Sequence, residues 1–278
     1  MKKVLVLLAL LAAVCGLLAF SAAAESAAAS GICGENLTWT LDAAGTLTVS
    51  GTGAMKDYNY EGAPWYQSRD SIQAVVVENG VTSIGKYAFS GCSSLSSITI
   101  PEGVTTIGDR AFSGCSSLIS ITIPEGVTTI GDRAFYGCSS LISITIPESV
   151  TTIGDSAFDY CSSLTDVFIT DLAAWCRIDF ADYSATPMYY ISIIGESARN
   201  IYLNGEKIVS VAVPEGVTEV KAYTFCGFKD LIQVTLPEGV TTIGEAAFYD
   251  CSSLTSITIP EGVTTIGGSA FSGCSSLT

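Results

Sequence analysis

Apolar side chains recur along this chain at a fixed period of 23. In the copy Leu95–Ser117, numbered from its first residue, they fall at positions 1, 4, 6, 10, 13, 17, 18 and 21. Four copies fill residues 72–163 and three fill residues 208–278. The copies are Ile72–Ser94, Leu95–Ser117, Leu118–Ser140, Leu141–Ser163, Ile208–Asp230, Leu231–Ser253 and Leu254–Ser276. A fixed period of this length is typical of a solenoid, in which each copy forms one coil.

Each copy predicts the same elements in the same order. Ile98–Ile100 alternates apolar and polar residues, which predicts a short strand with the isoleucines inward and Thr99 outward. A proline then ends the strand, and Val104–Ile107, between two glycines, predicts a second short strand. Asp109–Gly114 is long enough for a single helical turn. Because one coil cannot bury its apolar side alone, we predict a β-rich α/β solenoid whose coils share one core.

Residues 1–24 predict a secretory signal peptide. They begin with Met1-Lys2-Lys3, continue with an apolar run over residues 4–20, and end in Ala22–Ala24, a small-residue cleavage site. A membrane span is the alternative interpretation of the apolar run. We expect no insertion into the membrane after the signal peptide is removed.

Residues 25–71 predict a leader and an N-terminal capping β-hairpin. Residues 37–41 and 46–50 alternate on either side of a turn, as the strands of a hairpin do. The open end of a solenoid requires a cap, which we expect this hairpin to provide. We expect Trp65 and Tyr66 to pack between the hairpin and the first coil, with a binding loop as the alternative.

Residues 164–207 interrupt the repeats and predict an irregular insert of about two coils. Residues 171–178 begin with Asp and have the apolar spacing of a short helix. Residues 180–190 predict a loop, and Asn204-Gly205 predicts a hairpin that leads into the next coil. The last coil has no capping sequence after it, so we expect a truncated chain or an end-to-end contact there.

The repeat resembles that of a known family. The pattern Leu-x-x-Ile-x-Ile-Pro, followed by Val-x-x-Ile-x-x-x-Ala-Phe-x-x-Cys, is similar to the BspA-like leucine-rich repeats of bacterial surface proteins. The resemblance covers the seven copies between Ile72 and Ser276, apart from the insert. It implies a curved leucine-rich-repeat solenoid lined by a sheet and exported to the cell surface, often as an adhesin or host-interaction protein. It implies no catalytic residues.

Charge and residue types narrow the functions further. The chain has 12 Lys and Arg, 27 Asp and Glu and no His, so its formal net charge is −15. Loss of Lys2 and Lys3 with the signal peptide leaves 10 basic and 27 acidic side chains, a net charge of −17. This charge disfavours nucleic acid as a partner. Without histidine there is no Ser-His-Asp triad and no HExxH zinc site, so we predict no enzymatic activity and no cofactor or metal.

The ten cysteines are arranged by the repeat rather than as a disulfide framework. Six of them occupy position 21 of their coils: Cys92, Cys115, Cys138, Cys161, Cys251 and Cys274. An inward position predicts buried free thiols, since Cys packs as a small apolar residue. The state of Cys33, Cys176 and Cys226, which lie outside this row, is left open by the sequence.

Candidate ligand contacts form two groups. Thr99, Thr122 and Thr145 occupy outward strand positions, and a plain solvated sheet is the alternative for that face. The insert supplies an aromatic and acidic group, whose alternative is packing onto the solenoid as substitute core. Its candidate contacts are Phe168, Trp175, Tyr183, Tyr189 and Tyr190.

A carboxylate also recurs at position 8, and we expect these side chains to form a solvated edge rather than a calcium site, because the chain lacks an Asp-rich calcium loop. They are Glu102, Glu125, Glu148, Glu215, Glu238 and Glu261.

The sequence therefore predicts a secreted or cell-surface protein that binds an extracellular protein or glycan. A structural spacer that presents further domains is one alternative. A glycan-processing enzyme is another, because two carboxylates suffice for that chemistry.

Overall fold

The computed structural model describes residues 29–189 and 199–278. The predicted signal peptide and Tyr190 lie outside the described residues. Among the helices that are described, none is both long enough and apolar enough to cross a membrane.

The described chain begins with three antiparallel strands, β1 Ala29–Ile32, β2 Gly34–Leu41 and β3 Thr46–Met55. The predicted hairpin between β2 and β3 is present, and the backbone N–H of Thr46 donates to the carboxylate of Asp42 in its turn at 2.8 Å. A short 3-10 helix, Tyr66–Ser71, leads into the first coil.

Each of the first four coils contributes two short strands. In chain order these are β4 Ala74–Val77 and β5 Val81–Ile84, β6 Ser97–Thr99 and β7 Thr106–Ile107, β8 Ser120–Ile121 and β9 Thr129–Ile130, and β10 Ser143–Ile146 and β11 Thr152–Ile153. The strands β5, β7, β9 and β11 pair in parallel, each with its equivalent one period further along the chain. The hairpin strand β3 pairs in parallel with both β4 and β5. The predicted solenoid is confirmed, while the role of the hairpin as a cap stays a prediction.

The predicted helical turn is wrong. Residues 109–114 form consecutive turns, and positions 16 and 20 of the coil, such as Arg110 and Gly114, have φ values of 54° and 75°. Alternate N–H groups cross to the neighbouring coil, as from Tyr87 to the carbonyl of Asp109 at 2.9 Å and from Phe89 to the carbonyl of Ala111 at 2.8 Å. In a helix these backbone N–H groups would donate to carbonyls of the same segment, along the helix axis. Here they donate to the neighbouring coil instead, so no helix forms.

A ladder of aromatic rings runs through the core of the first block. Trp65 stacks on Phe89, and the series continues through Phe112 and Phe135 to Phe158, with ring centroids 5.4–5.7 Å apart. All these side chains are buried. The indole N–H of Trp65 donates to the carbonyl of Ala88 in the first coil at 2.7 Å, and its ring lies 5.5 Å from that of Trp39 in β2. These contacts confirm that this tryptophan packs between the hairpin and the first coil.

The insert contains β12 Asp166–Ile169, α1 Leu172–Arg177, β13 Asp179–Phe180, β14 Asn200–Leu203 and β15 Glu206–Lys207. The predicted helix is confirmed, because the side chain of Asp171 accepts from the N–H of Ala174 at 2.6 Å and caps α1. The predicted hairpin is also confirmed, with Asn204 and Gly205 at φ values of 51° and 83° between β14 and β15. Since β12 pairs in parallel with β10 and β14 with β12, the insert extends the sheet of the first block.

The last three coils repeat the design of the first block. Their strands are β16 Ser210–Ala212, β17 Glu219–Val220, β18 Gln233–Thr235, β19 Thr242–Ile243, β20 Ser256–Thr258 and β21 Thr265–Ile266. The strands β16, β18 and β20 form one parallel sheet, and β17, β19 and β21 form another. A second aromatic ladder, Phe225–Phe248–Phe271, has centroid separations of 5.2 and 5.4 Å.

Candidate binding surface

The outward strand positions of the third and fourth coils continue into the insert, and those of the second coil lie beside them. Thr99, Thr122 and Thr145 are exposed. Thr145 faces Phe168 in the register of β10 and β12, and Phe168 faces Tyr202 in the register of β12 and β14. The structure therefore brings the predicted threonines and one of the predicted aromatic residues onto a single face, which we call the strand face.

The strand face ends in an aromatic patch formed by Asp166, Phe168, Asn200 and Tyr202. The rings of Phe168 and Tyr202 are stacked, with centroids 4.9 Å apart and an interplanar angle of 19°. Beside them the side-chain amide of Asn200 donates to the carboxylate of Asp166 at 2.9 Å. Partial burial, and then the nearby carboxylate of Asp166, raise the pKa of Tyr202. Both rings are half-buried, so each keeps an accessible part.

Tyr202 is one of the aromatic residues of the insert, but the sequence does not single it out as a candidate contact. Its signal in the sequence is the alternation of residues 200–203 before the Asn-Gly turn, which places it outward on a strand. The pairing of that strand with β12, which is distant in the sequence, is what brings Tyr202 to Phe168. The sequence has no repeat from which the pairing of β14 with β12 could be predicted.

Trp175 belongs to the core and not to a contact surface. Its side chain is 1% exposed, and its indole N–H donates to the carbonyl of Thr224 at 2.8 Å. Its ring lies 5.2 Å from that of Phe180 and 6.0 Å from that of Phe228. This corrects its place among the candidate contacts, because a buried indole with a satisfied N–H cannot touch a ligand.

Tyr183 and Tyr189 lie away from the strand face. Tyr183 is 47% exposed and packs edge-on against Tyr189, with centroids 5.2 Å apart. Tyr189 in turn contacts Tyr249, at position 19 of its coil, with centroids 5.8 Å apart. The turn segments carry that position, so the structure separates these tyrosines from Phe168.

The thiols are structural. Every cysteine in the described chain is free, including Cys33, Cys176 and Cys226. In every coil of a block except the first, the thiol at position 21 donates to a phenylalanine carbonyl of the preceding coil. Cys115, for example, donates to the carbonyl of Phe89 at 3.2 Å. Burial raises the pKa values of the fully buried thiols Cys92 and Cys161 to about 12, which makes the thiolate needed for redox chemistry or metal binding unfavourable. The half-buried Cys274 is the exception, because its hydrogen bond with Cys251 lowers its pKa.

The carboxylates at position 8 form the expected solvated edge. All six of these glutamates are exposed, and within the described residues no group of three or more acidic, Cys or His side chains could hold a metal ion. Glu125 and Glu148 line an open depression of about 600 Å³ with Asp171 and Arg177. Such an open site leaves its carboxylates hydrated.

Known proteins were compared with the chain. Residues 62–177 and 196–278 match the model of the BspA type leucine rich repeat region in six copies. A leucine-rich repeat protein from Eubacterium ventriosum is 30% identical with a TM-score of 0.55, and the match covers 90% of this chain and 71% of that one. No curated protein matches.

Two further solved structures are less similar. A leucine rich cell surface protein from Faecalibacterium prausnitzii is 22% identical with a TM-score of 0.36, over 88% of this chain and 92% of that one. The pneumococcal vaccine antigen PcpA is 18% identical with a TM-score of 0.36, over 85% of this chain and 77% of that one.

Proposed function

This chain belongs to the BspA type leucine-rich repeat family, and from that premise we propose that it is an extracellular module that binds a protein or a glycan through its strand face. Stacked coils present an extended surface, and repeat proteins of this architecture use such surfaces for recognition. Export by the predicted signal peptide, residues 1–24, is part of the same proposal. We propose a binding protein and not an enzyme.

The aromatic patch is the observation that carries this proposal. Hot spots of binding are enriched in Tyr, Trp and Arg, and stacked rings present a large apolar area at a low entropic cost. The pair Phe168–Tyr202 is the point at which the row of small hydroxyl side chains gives way to large ones. The neighbouring Asp166 and Asn200 supply polar groups that can fix the orientation of a ligand.

The acidic charge favours a neutral or basic contact surface on the partner. With a net charge of −15, the chain as a whole repels nucleic acid at distances beyond contact. Nucleic acid is therefore outside the proposal. If the partner surface is basic, association slows as salt is added, because exposed charges are screened within about 10 Å at 0.1 M salt.

A binding screen with matched variants tests the proposal. The mature chain is applied to arrays of glycans and extracellular proteins, in parallel with the double variant Phe168→Ala/Tyr202→Ala and with the control Thr258→Ala, which changes an exposed strand residue of the last coil, outside the strand face. We expect the double variant to lose at least about tenfold in affinity for the wild-type ligand, while the control keeps it. A ligand that binds all three chains equally would refute a role for the patch.

Export is tested separately. Expression of the full chain in a bacterial host, followed by N-terminal sequencing of the protein outside the cytoplasm, should show a mature chain that begins at Glu25. A full-length chain retained in the cytoplasm or the membrane would contradict the predicted signal peptide.

A further inference from the structure

The turn segments of the first block form a second surface, which we call the turn groove. Positions 16 and 19 of four consecutive coils line it, together with flanking tyrosines, and it encloses about 550 Å³. The side chains used in the argument below are Tyr60, Tyr87, Arg110, Arg133, Tyr136 and Tyr160. The sequence does not reveal this groove, because the length of these segments predicts helical turns, which would not stack these side chains.

The bonds between coils hold the groove in register. Arg110 donates its backbone N–H to the carbonyl of Asp132 at 2.8 Å, and Arg133 donates its own to that of Asp155 at 2.7 Å. Equivalent side chains therefore lie one above another, at the coil spacing shown by the 5.4 Å separation of the Phe112 and Phe135 rings. Arg110 and Arg133 thus form a short column of cations on an acidic protein.

The two guanidinium groups differ in their partners. Arg133 lies 3.3 Å from the carboxylate of Asp155. Arg110 donates instead to the hydroxyl of Tyr87 at 2.8 Å and lies 5.4 Å from the centre of that ring. Within the described ranges Arg110 forms no ion pair. Its guanidinium is therefore held by a phenol rather than by a carboxylate.

The rest of the lining is aromatic and hydroxyl-rich. Tyr60 and Tyr160 are 62% and 55% exposed, and Tyr160 packs against Tyr136 with centroids 5.0 Å apart. Serine residues and Asp159 also line the groove. The carboxylate of Asp159 accepts the backbone N–H of Tyr160 at 2.9 Å and has further acceptor capacity. A ligand that suits this lining offers a carboxylate to Arg110, flat apolar faces to the rings and hydroxyl donors to Asp159.

We propose that the turn groove binds an acidic glycan, a chain that contains uronic or sialic acid units. Arginine recognises carboxylates through paired hydrogen bonds, and aromatic faces accept the C–H surfaces of sugar rings. An acidic peptide also carries carboxylates, but it has few hydroxyl donors to offer to Asp159. This site is separate from the strand face and does not depend on the function proposed for that face.

Calorimetry with defined sugars tests the proposal. The probes are tetragalacturonic acid, its fully methyl-esterified form, sialyllactose and an oligoglutamate peptide. The chains are wild type, Arg110→Gln, and the control Arg177→Gln, which removes an exposed arginine at the end of α1. We expect at least one of the two acidic sugars to bind the wild-type chain, and its affinity to fall at least about tenfold in Arg110→Gln but to stay unchanged in Arg177→Gln.

The remaining outcomes are equally decisive. The methyl ester removes the carboxylate charge without changing the protein, so a tenfold weaker binding of the ester than of the free acid supports the site even if Arg110→Gln fails to fold. Failure of both acidic sugars to bind, equal loss in both arginine variants, or binding of oligoglutamate in preference to the sugars would overturn the proposal. The variant Phe168→Ala/Tyr202→Ala should bind the acidic sugar as wild type does, which separates this test from that of the strand face.

Discussion

Replacement of Trp175 distinguishes a core residue from a ligand contact. The sequence places this tryptophan among aromatic residues that could face a ligand or pack onto the solenoid, and the structure buries it between the insert and the last three coils. As a core residue it should govern stability. As a contact residue it would govern affinity alone.

The expected magnitude follows from what the side chain touches. Trp175→Ala removes a side chain that is 1% exposed and packs on Phe180 and Phe228, and truncation of a buried Trp costs about 3–5 kcal/mol. Trp175→Phe keeps most of the apolar contact but leaves the carbonyl of Thr224 without its donor. An unsatisfied buried group costs about 1–3 kcal/mol. The control Tyr183→Ala alters a half-exposed side chain and should stay within about 0.5 kcal/mol of wild type.

Urea unfolding followed by far-UV circular dichroism measures these differences. Because Trp175 joins the insert to the coil that contains Thr224, the Ala variant should also split the transition, with the last three coils unfolding first. Hydrogen exchange of the strands β16 to β21 would show the same separation as faster exchange. Trp175→Ala with an unchanged midpoint, together with loss of a ligand, would restore the interpretation of this residue as a contact and refute the packing argument.

Four further predictions follow from single features of the fold. Asp171→Ala removes the cap of α1 and should lower the free energy of unfolding by about 1 kcal/mol in urea melts, whereas Asp171→Asn, which keeps an acceptor, should lower it less. Phe112→Ala opens the middle of the aromatic ladder and should cost about 3–5 kcal/mol by the same measurement; a loss below about 1 kcal/mol would show that neighbouring rings close the gap. Burial raises the pKa values of Cys92 and Cys161 from 9.0 to about 12, so these thiols lose their protons at a lower pH in the unfolded chain than in the folded one. The free energy of unfolding should therefore be highest below pH 9 and should decrease between pH 9 and 12 by about 1.4 kcal/mol per pH unit for each thiol. A free energy of unfolding that does not change in that range would contradict their burial. Millimolar calcium should leave the melting temperature unchanged, because the glutamates at position 8 are exposed; an increase of many degrees would reveal a site that the fold does not suggest.

The repeated part of the fold was predictable because a solenoid turns a fixed sequence separation into a fixed spatial one. The neighbours of Phe112 are Phe89 and Phe135, which lie one period before it and one period after it. The same holds for Cys115, whose thiol donates to a carbonyl of the preceding coil. Inspection of one copy therefore shows what every other copy packs against, and the inward rows of the core could be assigned from the period alone.

The turn segment was not predictable in the same way. Residues 109–114 are long enough for one helical turn, and a glycine at the end suits a helix as well as a left-handed turn. Hydrogen bonds to the next coil decide between them, since alternate N–H groups leave their own segment. Hydrogen bonds between coils compete here with helix formation. The helix propensity of a single copy gives no information about bonds to another copy.

The contacts of the insert are harder still to predict from the sequence, because they follow no fixed period. Trp175 meets Thr224 on a coil beyond the insert, and Phe168 meets Tyr202 across most of the insert's length. Both aromatic residues are compatible with burial or exposure when the sequence is considered alone. Strand alternation places Phe168 outward, but only the tertiary contacts of α1 place Trp175 inward.

A solenoid of identical coils would offer a ligand the same surface at every step and no unique place to bind. Specific recognition must therefore use positions at which the copies differ, and the uniform core cannot supply it. The strand face differs from coil to coil where Thr145 is followed by Phe168 and Tyr202. The turn groove differs at position 16, which is a tyrosine in the first coil, an arginine in the next two and a serine in the fourth. At these two places one coil can be distinguished from the next. A ligand that contacts them can bind at a single position along the solenoid, which is what specific binding requires.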